Sequence, residues 1–149
     1  MTVAAITSKV SAAGFRAGNL HHFWDTEFVN QLETNPQSIA SDLIGHISRT
    51  QEKEWQAGKP SDWAKESFQV AKDDTYGQLP EPSKRGTYRL SEEYITTATD
   101  DVARQLSKAG VRLAFVLNHA GCPIVARRAL PDFLLQKIGP LSLISLPAT

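Results

Sequence analysis

The stretch from Leu90 to Asn118 limits the possible folds most. Ile95, Ala98, Val102, Leu106, Ala109, Leu113 and Val116 recur at steps of three and four residues. That spacing lines apolar side chains along one face of an α-helix. Ser91 is a good N-cap, Glu92 and Glu93 suit the positive end of the helix dipole, and Leu90 can pack on Ile95 as a hydrophobic staple. A helix over 92–118 would be about 40 Å long, with Gly110 a weak point inside it. The rest of the chain must supply elements to pack around it.

Those elements also read as helices. Residues 1–18 hold small residues with Gly14 and Gly18 and no sustained period, so a loop is expected there. Asn19 then caps a helix in which Leu20, Trp24, Phe28 and Leu32 recur every four residues. Asn35-Pro36 starts a second helix, with Ile39, Leu43 and Ile47 on its buried face and Gly58-Lys59-Pro60 at its end. Ser61-Asp62 opens a third, in which Trp63, Ser67, Val70 and Ala71 share a face and Gly77 closes the helix. Residues 78–89, QLPEPSKRGTYR, read as an exposed loop.

From His119 onward the pattern breaks. Pro123, Pro131 and Pro140 interrupt an apolar tail, which either forms a short helix around Phe133, Leu134 and Leu135 or stays irregular. The expectation is therefore all-α: antiparallel helices around a long C-terminal helix. It divides into an N-terminal loop segment (1–18), a helical body (19–118) and a divergent apolar tail (119–149). Leu20, Trp24, Phe28, Ile39, Leu43, Ile47, Val70, Ile95, Val102, Leu106 and Leu113 are the expected core.

Composition narrows the functional classes. With 149 residues, 41% hydrophobic and 21% charged, the chain suits one soluble domain. Sixteen basic and sixteen acidic residues cancel, so there is no global field to hold a polyanion, and any nucleic-acid binding must come from a local site. Cys122 is the single cysteine, which excludes an intrachain disulfide and has no nearby basic cluster to activate it. No stretch approaches the roughly 18 apolar residues of a spanning helix, so no membrane is expected. The start MTVAAITSKVSAAGF lacks the features of a secretory signal, which by itself points to the cytoplasm.

The densest chemistry stands at positions 19–26, NLHHFWDT. His21 and Asp25 are four apart, so on a helix an imidazole and a carboxylate can reach one ion. Both are good zinc ligands at roughly 2.0–2.2 Å. His22 points about 100° away, towards Thr26. Zinc takes three or four protein ligands and this motif supplies two. By spacing alone, a plain histidine–aspartate pair at a helix start is the commoner use of such a motif.

Other candidates have simpler uses. Arg104, Lys108 and Arg112 stand four apart as a conceivable phosphate stripe, but Asp100 can pair with Arg104 and a solvated face fits a neutral chain better. Lys84, Arg85 and Arg89 sit in the exposed loop. Trp24, Trp55 and Trp63 could stack on bases, although Trp24 lies on an apolar stripe and reads as core. His46 and His119 have no ligand at metal spacing and read as structural.

Taken together, these segments resemble a known family. NLHHFWDT is similar to the NLHxxWDT signature of the zinc-dependent single-strand nucleases called S-one/P-one nucleases, which share an all-helical fold with bacterial zinc phospholipase C. WAKES at 63–67 followed by Tyr76-Gly77, and Tyr94 followed by QLSKAGVRLAFVLN at 105–118, resemble that family's later segments in the same order. The resemblance covers positions 9–118. It implies zinc-dependent hydrolysis of phosphodiester bonds in single-stranded DNA and RNA and of 3′-nucleotides. His21 and Asp25 would be ligands to one zinc of a three-zinc cluster, with no catalytic side chain assigned.

The family's other ligands lie upstream of this signature, including a mature N-terminal tryptophan. The resemblance therefore implies a C-terminal part, weak or inactive alone, whose partners are single-stranded nucleic acid or nucleotides and a missing N-terminal half. It also implies a secreted or periplasmic setting. The alternatives are a non-catalytic helical remnant or interaction module, and a phospholipase on the same fold, which fits the local signature less well.

Overall fold

The computed structural model describes residues 9–120. Helices carry the fold, as expected. The chain divides into two compact units, Met1–Val111 and Arg112–Thr149. The first helix, α1, runs as α-helix over Leu20–His22, widens into a π-turn at Phe23–Glu27, and resumes as α-helix over Phe28–Leu32. Then come α2 (Pro36–Gly45), α3 (Arg49–Gln56) and α4 (Pro60–Val70), the last running into a second π-turn at Ala71–Tyr76. The long helix, α5, spans Glu92–His119.

Three expectations on elements change. The loop expected over 1–18 holds two short strands, β1 (Lys9–Ser11) and β2 (Gly18–Asn19), and the loop expected over 78–89 contributes β3 (Tyr88–Arg89). They form a sheet ordered β2-β1-β3, antiparallel on one side of β1 and parallel on the other. Strands this short carry too few residues to show a period of two, so pattern reading misses them. Gly14, at φ 80°, makes the turn between β1 and β2, a left-handed position that glycine takes without steric cost.

The expected second helix is two helices. Ser48 Oγ accepts from the Gln51 N–H at 3.2 Å, and Gln51 Oε1 accepts from the Ser48 N–H at 3.0 Å. This capping box starts α3 afresh. Further on, Asp62 reaches back to the Lys59 N–H at 3.0 Å, so α4 begins at Pro60. Beyond Ala120, the tail expected over 119–149, including the helix around Phe133, lies outside the described residues, as do residues 1–8.

Burial is concentrated at one end of the sequence pattern. Val10, Leu20, Phe23, Phe28, Leu90, Tyr94, Ala98 and Val102 form the core. Trp24, Leu32, Tyr76, Tyr88 and Ile95 pack around it. Of the expected core, Leu20, Phe28 and Val102 are buried. Ile39, Leu43, Ile47 and Val70 are half-buried, and α2, α3 and α4 contain no fully buried residue. Leu106 and Leu113 are 42% and 60% exposed, so they are not core residues among the described part.

The buried set on α1 is Leu20, Phe23 and Phe28, not Leu20, Trp24 and Phe28. The π-turn explains this. The Phe28 N–H bonds to the Phe23 carbonyl five residues back, so one extra residue enters the turn and the helix face shifts. Phe23 and Phe28 then meet edge to face at 5.8 Å, a geometry that adds to their apolar burial.

In the second unit the described residues are the last turns of α5 and Ala120. There His119 Nδ1 meets the Phe115 carbonyl at 2.8 Å, its ring 4.1 Å from that of Phe115. No helix among the described residues is long and apolar enough to cross a membrane.

The burial pattern sets an expected ranking of core substitutions. Phe23→Ala should cost about 3–5 kcal/mol, the usual range for a buried aromatic. Leu106→Ala should cost no more than about 0.5 kcal/mol, as at other exposed positions. Urea unfolding of the two variants against the unsubstituted chain checks the order.

Candidate metal centre

The α1 helix starts where the sequence says it should. Asn19 Oδ1 accepts from the His22 N–H at 2.8 Å, a cap bond that satisfies one orphan donor. One residue into the helix, His21 is largely exposed, and so is Asp25 four residues on. The His21 Nε2 and Asp25 Oδ2 atoms stand 2.9 Å apart. Two donors this close can both lie near 2 Å from one ion after a small outward rotation. The donor set, one imidazole nitrogen and one carboxylate oxygen, suits zinc. Among the described residues, no third His, Cys, Asp or Glu joins them at metal-binding distance.

His22 takes a different partner from the one its spacing indicates. Its Nε2 meets Glu27 Oε1 at 3.1 Å. In a regular α-helix, residues five apart sit about 140° apart around the axis. The π-turn at Phe23–Glu27 closes that angle and brings Glu27 round to His22. Two histidine–carboxylate pairs thus flank one π-turn.

The turn is held from behind by a buried tyrosine. The Trp24 indole N–H donates to the Tyr94 hydroxyl at 3.3 Å, and that hydroxyl donates to the Thr75 carbonyl at 2.7 Å. Thr75 lies in the second π-turn. A π-turn disturbs the regular ladder of carbonyl partners, and here a side chain satisfies a buried carbonyl instead. Burial pushes the Tyr94 phenol up to about 12, so it keeps the proton it donates. Gly77 follows this π-turn, and a side chain there would run into the Asp73 carbonyl oxygen.

A buried carboxyl lies on the same helix as Tyr94. Asp101 is 3% exposed. Its Oδ1 is 3.6 Å from Arg104, and its Oδ2 has no hydrogen-bond donor among the described residues. Burial is the main force raising the proton affinity of Asp101. The Asp74 carboxyl from the second π-turn adds to it, and Arg104 opposes it. Arg104 thus pairs with Asp101 rather than with Asp100. Sequence reading passed over Asp101, although its spacing of seven from Tyr94 and three from Ala98 places it on their face.

Of the remaining charged candidates, Lys84, Arg85 and Arg89 are exposed and Lys108 is a packing contact. Lys108 forms an ion pair with Glu66 of the WAKES segment and lies 6.0 Å from the Trp55 ring centre. A groove of about 510 Å³ is lined by residues including Leu43, Ile47, Trp55, Arg104 and Lys108. His21 and Asp25 do not line it. His46 Nδ1 meets the Asp42 carbonyl at 2.8 Å.

The segments brought together here are those shared by one group of proteins. The sequence model of the S1/P1 Nuclease family matches residues 6–121. The chain belongs to the S1/P1 nuclease family. Its helical architecture with a long final helix agrees with that assignment. Endonuclease 2 of Arabidopsis thaliana is 27% identical over 117 residues, a match covering 70% of this chain and 39% of the relative. The chain therefore spans about 39% of the length of that curated relative. Family membership gives the contacts of this S1/P1 chain a common theme: Trp24 of NLHHFWDT meets Tyr94, and Glu66 of WAKES meets Lys108 of the final helix segment.

Asp101 gives a signed pH dependence. Its carboxyl holds a proton more tightly in the folded chain than in the unfolded one. Folding therefore loses stability as pH rises from the ordinary carboxylate value, about 3.9, through the raised native value. Asp101→Asn should remove that loss, raising Tm at pH 7 and flattening the dependence between acid and neutral pH. Thermal melts from pH 4 to pH 7 check both.

Proposed function

We propose that this chain supplies part of the metal site of a zinc-dependent nuclease and 3′-nucleotidase acting on single-stranded DNA and RNA. The observation that carries the reading is the convergence of His21 Nε2 and Asp25 Oδ2, 2.9 Å apart, inside the family signature. His21 and Asp25 would hold one zinc. When bound, zinc supplies a bound water of lowered pKa and positive charge for the phosphoryl and leaving oxygens.

The chain's own residues do the rest of the work by position. Asp25 offers a carboxylate oxygen, and His21 must offer the Nε2 lone pair, which requires a neutral imidazole with its proton on Nδ1. Protons compete with the ion for both donors, so zinc uptake weakens in acid. Neither residue acts as general base. His22 and Glu27 engage each other and stay outside the ligand set.

Two ligands leave a weak site. In this reading the remaining donors come from a further segment of the family fold, and α2, α3 and α4, with no fully buried residue, are open to packing against it. The chain by itself is then weak or inactive. The other reading, a non-catalytic helical module, is distinguished by the same experiment.

The test is calorimetric and enzymatic. Zinc titrated into the chain alone should bind far more weakly than the roughly 10–16 kcal/mol of complete structural sites. Turnover on single-stranded DNA should fall well below about 10 s⁻¹. Co-expression with the segment of Endonuclease 2 that this chain does not span should restore tight zinc binding and activity. His21→Ala or Asp25→Ala should each abolish the gain at unchanged helix content. Activity restored equally in both variants removes the ligand assignment, and lack of association favours the non-catalytic module.

A further inference from the structure

We propose that the Tyr94 hydroxyl is a positioning group for the His21–Asp25 donor pair, acting through Trp24 and the π-turn at Phe23–Glu27. As a reading about zinc it rests on the proposed function. As a reading about the donor pair it stands on geometry alone. Trp24 lies between the two donors in sequence and shares the π-turn with Asp25. Its indole faces inward, edge to face with Phe28 at 5.6 Å and bonded to Tyr94 at 3.3 Å. His21 and Asp25 face outward and are largely exposed, so little else restrains them from the solvent side.

The orientation of α1 about its own axis is therefore set from its buried face. Phe23 and Phe28 supply shape, but apolar packing tolerates small rotations. The hydrogen bond from Trp24 has a direction and does not. Tyr94 can impose that direction because its own proton is committed to the Thr75 carbonyl at 2.7 Å, which leaves its oxygen lone pair facing the indole. The hydroxyl thus ties the two π-turns to each other. On the far side of the first, the same turn geometry brings His22 to Glu27 at 3.1 Å, five residues apart. That contact reports whether the π-turn is intact.

The experiment uses the full chain labelled with nitrogen-15 and free of zinc. Long-range proton–nitrogen spectra record the ring nitrogens of His21 and His22 in the unsubstituted chain, Tyr94→Phe, Trp24→Phe and Val102→Ala, each at least about 15 °C below its own Tm. Val102→Ala opens the same core without touching the hydroxyl chain. Tyr94→Phe and Trp24→Phe should both move the His21 and His22 Nε2 signals toward those of a free imidazole, while Val102→Ala leaves them in place. Trp24→Phe keeps the test decisive where Tyr94→Phe folds poorly.

In a parallel zinc titration, Tyr94→Phe should weaken binding by about 10-fold, the low end of the loss for groups bonded directly to a ligand, because Tyr94 reaches the pair through Trp24. Val102→Ala should change it less than about twofold. Ring signals unmoved in both hydroxyl-chain variants, or moved as far by Val102→Ala, overturn the proposal. Zinc binding that is unchanged in His21→Ala instead removes the zinc reading, while the ring signals still decide whether Tyr94 positions the pair.

Discussion

One phenol oxygen joins the three segments on which this fold depends. Tyr94 accepts from Trp24 on α1 and donates to Thr75 at the end of α4, while its ring packs beside Phe28. A buried hydroxyl without partners would cost about 1–3 kcal/mol, and so would the buried Thr75 carbonyl. With both bonds made, neither group is left unsatisfied. The same bonds restrict where α1 and the second π-turn can sit around the start of α5, because hydrogen bonds are directional and apolar contacts are not.

The π-turns explain why a small core suffices to order a polar helix start. In α1 the extra residue moves Phe23 inward beside Leu20 and Phe28. It leaves His21 with Asp25, and His22 with Glu27, on the solvent side. A regular helix would keep Trp24 in the buried row and separate His22 from Glu27. In the second π-turn the distortion frees the Thr75 carbonyl for Tyr94, and glycine at position 77 lets the backbone close. Among the described residues the family segments are thus largely packing devices, and they present the His21–Asp25 pair to solvent.

Much of this was legible in the residues themselves. The period from Ile95 to Val102, the Ser91 cap and the Asn19 and Asn35 caps locate three helix starts, because capping chemistry is local and each bond lies within three residues of its donor. The four-residue spacing of His21 and Asp25 placed the candidate pair, since a helix face is a property of spacing. The Ser48–Gln51 capping box was present in the sequence as well, and reading past it joined α2 to α3.

Other features depended on contacts distant in sequence. The short strand β3 exists only because it pairs with a segment far back along the chain, Val10 meeting Tyr88. The raised proton affinity of Asp101 comes first from its burial and then from Asp74, a residue 27 positions away that no local pattern brings near. His22 found Glu27 because a π-turn replaced the α-helical period on which sequence reading relies. The sequence by itself determined where helices begin, which face of each is apolar, and that one histidine and one aspartate share a face. Only the tertiary structure decided which aromatic ring on α1 is buried and which carboxylate His22 meets, because a π-turn is stabilised by partners it acquires when the helices pack.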